Sequence, residues 1–356
     1  MRMIVAGGGT GGHLFPGLAV AEALSAAGDT EVRFVGSAGG IEAKVIPTTR
    51  FPFTPLPISA LRGRGWRGVA SFTAQLPVAF VRAWRVLGEF RPQLVLGLGG
   101  YGSVPVVVAA RQRSIPSVLL EQNAHPGMSN RLLARLAHRV CTTFEQSERF
   151  FPPGKCVLTG NPVRQLQSDE KPAPDHFTVF AFGGSQGARS INRAMVDAAP
   201  VLAEKLPELR IVHQTGSGDV EWVTAKYREI GIAAEVSPFI HEMGAAYSRA
   251  DLVVCRAGAT TVAELATLGK AAILIPYPYA ADDHQRANAK VLVQRGAAKM
   301  ILDADLGGPS LASAVLELAS DRAALAAMGA AARALARPNA VADVAAVCRQ
   351  VGGEAK

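Results

Sequence analysis

The sequence lacks the features by which secreted, zinc-binding and membrane-spanning proteins are recognised. Its 356 residues include four cysteines, which lie far apart and form no C-x-x-C pair. Such spacing is typical of reduced thiols and offers neither a disulfide framework nor a zinc site. No uninterrupted apolar run reaches the roughly 18 to 20 residues of a membrane-spanning helix, and the N-terminus lacks the apolar core and cleavage site of a signal peptide. Any membrane contact is therefore expected to be peripheral.

Acidic residues are also in the minority. The chain has 29 Asp and Glu against 37 Lys and Arg, a net charge of +8, which favours an anionic partner such as a phosphate or an anionic bilayer. Nucleic acid is not expected, because the basic residues do not extend into a long stripe. Hydrophobic residues make up 49% of the chain and charged residues 19%. A chain of this length and balance is expected to fill two hydrophobic cores.

Short apolar runs alternate with amphipathic segments along the chain. Strands are predicted at residues 3–6, 32–35, 94–98, 117–120, 139–142, 177–182, 210–213, 251–255, 271–276 and 298–301. This β-α-β alternation predicts an α/β protein with two doubly wound parallel sheets. The predicted divisions are an N-terminal domain at 1–160, a polar, proline-rich linker at 161–175, a second domain at 176–336, and a C-terminal helix at 337–356 that packs back on the first domain.

Each half opens with a strand, a glycine-rich turn and a helix. The turns span residues 7–12 and 183–188, and backbone amides at such junctions favour a diphosphate. The first turn also satisfies G-x-G-x-x-G, which leaves an NAD-dependent oxidoreductase as an alternative. The strand at 32–35 weakens that alternative, because it does not end in the acidic residue that holds a ribose. The first turn could also serve only as a tight turn, and Ser185 in the second could be a plain helix N-cap.

Two further polar clusters follow in the second half. Glu264 lies about one helical turn into a helix that follows a third turn of small residues, where a carboxylate can accept both hydroxyls of a ribose. Gln285 offers both a donor and an acceptor to sugar hydroxyls. Taken alone, Glu264 is equally compatible with an exposed helix residue, and residues 282–284 resemble metal ligands. We expect no metal, because no complementary ligands occur at suitable spacing elsewhere.

Seven motifs together resemble one family. They occupy, in order, residues 8–13 (GGTGGH), 99–101 (GGY), 121–123 (EQN), 160–164 (GNPVR), 183–188 (GGSQGA), 258–264 (GATTVAE) and 284–289 (HQRANA). In these motifs the chain resembles the MurG family of bacterial glycosyltransferases. Members add N-acetylglucosamine from UDP-N-acetylglucosamine to undecaprenyl-diphosphate-linked N-acetylmuramyl pentapeptide, a step of peptidoglycan synthesis that supports cell shape and division. The resemblance implies a GT-B fold, in which two Rossmann-like domains face each other across a cleft, with the donor held mainly by the second domain.

The resemblance also implies a set of donor-binding residues and no cofactor. The implied contacts with UDP-N-acetylglucosamine are Thr10, Gly11, Gly12, Asn123, Arg164, Ser185, Ile240, Ala259, Thr260, Thr261, Val262, Ala263, Glu264 and Gln285. The chain departs from the family at Leu120, where many members carry histidine before Glu-Gln-Asn. A transferase acting on another glycolipid and a non-catalytic lipid or nucleotide binder remain alternatives.

The general base must remove a proton from the acceptor's C4 hydroxyl in an inverting displacement. His13 is the predicted base, since it ends the first glycine motif and an imidazole accepts a proton near neutral pH. A merely structural role, bracing the glycine loop or binding a phosphate, is the alternative. Glu121, beside Asn123 at the end of a strand, is the rival base.

A membrane-binding surface is predicted between the second and third predicted strands, where aromatic residues are interleaved with arginines. Its residues are Trp66, Phe72, Phe80, Arg82, Trp84 and Arg85. Apolar side chains can enter the headgroup region while guanidinium groups meet anionic lipid. A core helix with a solvated basic flank is the alternative. The family resemblance implies peripheral association with the cytoplasmic face of the inner membrane, and cell-wall synthesis proteins as partners.

Overall fold

The computed structural model describes residues 1–28, 30–58, 65–163, 166 and 175–353, with the backbone alone at 65–72. The chain divides into two compact units. One comprises Met1–Arg164 and Arg337–Lys356, and the other comprises Gln165–Ala336. Among the described residues, no helix is both long and apolar enough to cross a membrane.

The first unit contains a parallel sheet. Its strands are β1 (Arg2–Ala6), β2 (Glu31–Ser37), β3 (Phe53–Leu56), β4 (Leu94–Gly97), β5 (Ser117–Glu121), β6 (Arg139–Thr142) and β7 (Cys156–Leu158). Its first helices are α1 (Gly11–Ala26), α2 (Glu42–Val45), α3 (Gly65–Phe90), α4 (Ser103–Gln112) and α5 (Met128–Leu133). The strand order is β3-β2-β1-β4-β5-β6-β7, so the order reverses between β1 and β4.

The second unit repeats this arrangement. Its strands are β8 (Phe177–Phe182), β9 (Leu209–Gln214), β10 (Ala233–Ser237), β11 (Leu252–Cys255), β12 (Ala271–Leu274) and β13 (Lys299–Met300). Its helices are α6 (Arg189–Lys205), α7 (Val220–Ile230), α8 (Met243–Arg249), α9 (Ala259–Leu268), α10 (His284–Gln294), α11 (Gly308–Ser320) and α12 (Arg322–Ala334). The order β10-β9-β8-β11-β12-β13 reverses between β8 and β11. Ligands of doubly wound sheets bind beyond the carboxyl ends of the strands at such a reversal.

The last helix, α13 (Ala340–Gly353), belongs to the first unit. Val344, Cys348 and Val351 form a stripe along it and lie in the same buried cluster as Met3 and Val5 of β1. The alternate residues of β1 point to the opposite face of the sheet, which α3 and α4 cover. The parallel sheet is thus buried on both faces, as parallel sheets require.

Strands β3, β7 and β10 were not predicted, and each lies at the edge of its sheet. An edge strand buries less surface, so it needs no continuous apolar run. Pro55 lies within β3, which fits an edge strand because proline donates no hydrogen bond. The residues of β10 are all exposed or half-buried. The predicted α/β class and the paired doubly wound sheets are confirmed.

Candidate active site

His13 lies in the first turn of α1, directly beyond the carboxyl end of β1. Thr10 is the N-cap of this helix, yet its side chain caps no backbone amide. The Thr10 hydroxyl instead hydrogen-bonds His13 Nδ1 at 2.8 Å. If Nδ1 carries the proton and donates to Thr10 Oγ1, Nε2 is the nitrogen with a lone pair for proton abstraction. The Thr10 contact therefore orients the imidazole and is compatible with the tautomer that a base needs.

Glu121 ends β5 and is only 1% exposed. Its Oε1 accepts hydrogen bonds from the backbone N–H of Asn123 at 2.9 Å and from Asn123 Nδ2 at 3.3 Å, while Asn130 Nδ2 donates to Oε2 at 2.9 Å. Burial raises the pKa of Glu121 to about 7, although the hydrogen bonds oppose that rise. Both carboxylate oxygens are thus engaged inside the protein, which suits an anchoring carboxylate better than one that must reach an acceptor.

His13 and Asn130, a hydrogen-bond partner of Glu121, both lie beside Gly99 in the turn after β4. A side chain at Gly99 would lie 3.2 Å from Asn130 Nδ2 and 3.4 Å from His13 Cδ2. The first and second predicted motifs, at residues 8–13 and 99–101, therefore lie together at the β1–β4 reversal. Asn130 was not predicted, because it lies seven residues beyond the EQN motif on a separate short helix.

Ser185 lies in the exposed turn between β8 and α6. It is not the helix N-cap, since that position is Ala188. The turn is held by Gln214, whose Nε2 donates to the carbonyl of Gly184 at 2.9 Å. Gln214 Oε1 accepts the backbone N–H of Ile240 at 2.8 Å. A uracil that pairs with this N–H must displace Gln214, a residue that sequence reasoning missed.

Glu264 lies on α9 and is 7% exposed, so it is not an ordinary surface residue. The hydroxyl of Tyr247 donates to Glu264 Oε2 at 2.9 Å. Tyr247 is itself fully buried against Phe180 and Phe182 of β8. The tyrosine therefore holds the carboxylate in one orientation from within the core, and no local sequence signal marks it.

The remaining donor-binding candidates of the second unit cluster on α9 and α10. Ala259, Thr260, Thr261, Val262 and Ala263 form the first turn and a half of α9 after N-cap Gly258. The amides of the first three precede the first intrahelical bond, which the Val262 N–H makes to the Gly258 carbonyl.

Gln285, in the first turn of α10, is oriented by the backbone. Its Oε1 accepts the N–H of Tyr277 at 2.9 Å, so Nε2 is the polar group of this side chain that can donate. His284 Nδ1 lies 2.7 Å from the carbonyl of Ala281. Among the described residues, no group of three or more His, Cys, Asp or Glu side chains is placed to hold a metal ion.

Arg256 is a further residue that the sequence did not reveal. Its guanidinium donates to Asp303 Oδ1 at 2.5 Å, to the Ser190 hydroxyl at 2.9 Å and to the carbonyls of Ile275 and Pro276 at 3.2 Å. This one side chain joins the turns after β11 and β12 to the start of α6. It thereby fixes the loops that carry the donor-site candidates.

The other predicted site residues divide into those outside the described residues and those within them. Arg164 lies outside the described residues, as do the side chains of Trp66 and Phe72 on α3. Gly11 and Gly12 form the first two positions of α1, and Asn123 is 8% exposed. The roles of these residues remain predictions.

The described part of α3 exposes a stripe that differs from the predicted patch. Phe80 and Trp84 are half-buried and pack against the core of the first unit. Val78 and Val81 are 59% and 57% exposed, and Arg82 and Arg85 are exposed beside them. These last four residues follow the i, i+3, i+4, i+7 spacing of one helix face, which we name the α3 stripe.

Known proteins match both units. Residues 3–142 match the family described as "Glycosyltransferase family 28 N-terminal domain", and residues 178–344 match "Glycosyltransferase family 28 C-terminal domain". A protein of Geobacter sulfurreducens is 47% identical over 345 residues, covering 95% of each chain. One of Myxococcus xanthus is 45% identical over 353 residues, covering 98% of this chain and 92% of its own. Both are named UDP-N-acetylglucosamine--N-acetylmuramyl-(pentapeptide) pyrophosphoryl-undecaprenol N-acetylglucosamine transferase.

Solved structures agree with this match. The crystal structure of Acinetobacter baumannii MurG superposes with a TM-score of 0.81 at 34% identity, over 98% of this chain and 99% of that one. The kitacinnamycin glycosyltransferase, at 18% identity and a TM-score of 0.74, shares the fold. The resemblance inferred from the seven motifs is therefore confirmed: the chain belongs to glycosyltransferase family 28 and, within it, to the MurG family of N-acetylglucosaminyltransferases.

Proposed function

We propose that this enzyme transfers N-acetylglucosamine from UDP-N-acetylglucosamine to the C4 hydroxyl of undecaprenyl-diphosphate-linked N-acetylmuramyl pentapeptide. The product is the lipid-linked disaccharide precursor of peptidoglycan. The proposal is carried by the identity of 45% or more to transferases so named, along nearly the whole chain. The site residues support it, because the two units supply a histidine held as a base and a buried carboxylate for a ribose.

The proposed chemistry is one inverting displacement. The acceptor C4 oxygen attacks the anomeric carbon, the bond from that carbon to the diphosphate breaks, and UDP leaves with the bonding electrons. His13 Nε2 takes the proton of the C4 hydroxyl, while Nδ1–H donates to Thr10 Oγ1. Glu121 does not take the proton in this scheme. It holds Asn123 and Asn130 in place through the three hydrogen bonds described above.

The proposed donor contacts lie in the second unit. Backbone amides at the N-termini of α6 and α9 stabilise the charge that builds up on the departing diphosphate. Glu264, oriented by Tyr247, accepts the ribose hydroxyls, and Gln285 Nε2 donates to a sugar hydroxyl. Ile240 pairs with uracil once Gln214 releases its N–H.

The test is transfer of labelled N-acetylglucosamine to a short-chain, soluble lipid-linked N-acetylmuramyl pentapeptide. We expect product with UDP-N-acetylglucosamine and none when the acceptor sugar lacks its C4 hydroxyl. A donor at 100 times its dissociation constant should also stabilise the fold by about 2.7 kcal/mol, whereas NAD should leave it unchanged. Stabilisation by NAD alone, or equal transfer to the 4-deoxy acceptor, would refute the proposal.

We further propose that the first unit binds the anionic cytoplasmic face of the cell membrane through the α3 stripe. Val78 and Val81 supply exposed apolar surface, and Arg82 and Arg85 supply charge at its edge. Arg113 stacks on Trp84, with its guanidinium carbon 4.1 Å from the ring centre, and so adds a cation beside the stripe.

Near the end of α4, a depression of about 470 Å³ adds further basic side chains. Its lining includes Arg111, Arg135, His138 and Lys155. Burial lowers the pKa of Lys155, and the charges of Arg111 and Arg139 lower it further. Anionic lipid headgroups would complement these basic side chains.

The matched test replaces Val78 and Val81 by serine and measures sedimentation with vesicles of phosphatidylglycerol and phosphatidylcholine. Each valine contributes up to about 1.5 kcal/mol when it leaves water, so the double variant should bind up to roughly 100-fold more weakly. Val201, 44% exposed on α6, provides the control and should have no effect when changed to serine. Transfer to the soluble acceptor should persist in all variants. Unchanged vesicle binding by the double variant would exclude the α3 stripe.

A further inference from the structure

A buried carboxylate lies inside the first glycine loop. Glu42 is the first residue of α2 and is 1% exposed. Its Oε2 accepts the backbone N–H of Gly9 at 2.8 Å, and its Oε1 accepts the backbone N–H of Ser37 at 2.8 Å. The side chain thus joins the loop after β1 to the end of β2.

Three glycines leave room for this carboxylate. A Cβ at Gly8 would lie 2.6 Å from Glu42 Oε2, and one at Gly36 would lie 2.8 Å from Glu42 Cγ. A Cβ at Gly40 would overlap the same carboxyl group. Real Cβ atoms do not approach other atoms so closely, so a side chain at any of these positions would displace the Glu42 carboxylate. Part of the glycine content that indicates a phosphate-binding loop is therefore needed to accommodate a side chain of the protein itself.

The backbone amides of this loop bind a carboxylate that belongs to the protein itself, that of Glu42. Each oxygen of Glu42 receives one backbone amide, and charge-assisted hydrogen bonds of this kind are about twice as strong as neutral ones. A buried charge persists only when it is compensated in this way. The Gly9 amide consequently points to a protein carboxylate and not to a substrate phosphate.

The position of Gly9 gives this contact a consequence for the reaction. The next residue is Thr10, whose hydroxyl holds the His13 ring. Moving Gly9 would move Thr10 and with it the imidazole. We infer that Glu42 is a positioning residue for transfer, acting as an internal carboxylate that holds the Thr10–His13 pair in place; this inference rests on the proposed role of that pair.

The test is chemical rescue. Glu42→Ala removes one methylene and the carboxylate, which are the atoms of acetate. We expect turnover to fall roughly 100-fold, since displacement of a reacting group by about 1 Å has an effect of that size, while the donor KM stays within threefold. Acetate at constant ionic strength should restore turnover saturably by at least about tenfold, and the bulkier butyrate should not.

Two controls accompany the variant. Acetate should leave the parent unaffected, and Glu22→Ala, which removes an exposed carboxylate from α1, should show neither loss nor rescue. Hydrogen exchange of the Gly9 and Ser37 amides provides a readout without turnover: both should be protected in the parent, exchange faster in Glu42→Ala, and slow again with acetate. Turnover of Glu42→Ala within threefold of the parent, or a loss that acetate does not reverse, would overturn the inference.

If Glu42→Ala does not fold, Glu42→Gln decides the matter. Glutamine preserves the volume but can accept only one of the two amides, so one amide should exchange faster and turnover should fall about tenfold. Parental turnover with both amides protected would overturn the inference. If His13→Gln keeps turnover while acetate still rescues Glu42→Ala, the proposed base is wrong and Glu42 still positions the loop. If the parent transfers no sugar, the proposed function fails, and amide exchange alone decides whether Glu42 holds the loop.

Discussion

The two glycine loops have the same place in the fold and different interiors. Each follows the first strand of its sheet and leads into a helix at the point where strand order reverses. In the first loop, Glu42 accepts the Gly9 amide. In the second, the neutral carboxamide of Gln214 donates to the Gly184 carbonyl. The Glu42 carboxylate occupies a backbone amide that could otherwise bind a substrate anion. The Gln214 carboxamide bonds a backbone carbonyl and occupies no amide of its loop. Under the proposed function, similar glycine motifs shape a catalytic loop in one unit and an anion-binding loop in the other.

The largest effect should come from the first loop and appear in turnover. His13→Gln is expected to lower turnover roughly 100-fold to 10,000-fold, because loss of a general base has an effect of this size. The donor KM should stay within about threefold. Thr10→Val should lose much of the same activity and Thr10→Ser should keep it, since only a hydroxyl holds Nδ1. Steady-state kinetics across pH measures both.

Glu121→Gln is the matched control for that assignment. It should keep turnover within about tenfold of the parent, as expected for an anchoring carboxylate. If His13→Gln stays within a few fold of the parent and retains the acidic limb of the pH profile, while Glu121→Gln loses both, Glu121 is the base.

The pKa of Glu121 also predicts a pH dependence of stability. Because burial raises it from 4.5 to about 7, its contribution to stability is full below about pH 4.5 and is lost as pH rises through 7. A shift of this size corresponds to on the order of 3 kcal/mol. The free energy of unfolding of Glu121→Gln, relative to the parent, should therefore rise by that order between about pH 4 and pH 8. Urea unfolding at both pH values measures it, and a constant difference would show that Glu121 ionises like an exposed carboxyl.

In the second unit the effect should appear in the donor KM. Glu264→Ala is expected to weaken donor binding by roughly 1 to 3 kcal/mol, because a charged acceptor of ribose hydroxyls is lost. Tyr247→Phe removes only the orienting hydroxyl and should weaken it by about 1 kcal/mol or less. Isothermal titration with UDP reports both changes. Unchanged affinity in Glu264→Ala would mean that the carboxylate serves the fold through Tyr247 alone.

Much of the fold and part of the candidate site could be predicted from sequence, because these features depend on residues that are close together in the chain. Buried parallel strands appear in the sequence as apolar runs. Glu264 and Gln285 lie in short motifs, and the residues next to them in the chain also surround them in the fold. Glu42, Gln214 and Tyr247 could not be predicted in the same way. Gly9 and Glu42 are 33 residues apart, and Ile240 and Gln214 are 26 apart, so their contacts arise only when the sheets form.

The smallest expected effect is that of alanine substitution at Gly9 or Gly184. These two glycines have similar backbone conformations and similar space around them, so they allow the closest comparison of the two loops. Their φ angles are +86° and +95°, and among the described residues no atom lies within 4 Å of an added Cβ at either. Alanine at each position should therefore lower stability by a similar amount, about 1 to 2 kcal/mol, through backbone strain alone. The kinetic effects of the two substitutions should differ. Gly9→Ala should lower turnover by several fold with the donor KM nearly unchanged, since it disturbs the Thr10–His13 pair. Gly184→Ala should instead raise the donor KM by several fold. Thermal unfolding confirms the matched strain, and donor titrations at saturating acceptor separate the two parameters. If Gly9→Ala raises the donor KM as much as Gly184→Ala does, the first loop also holds the donor phosphates and the two loops share one role.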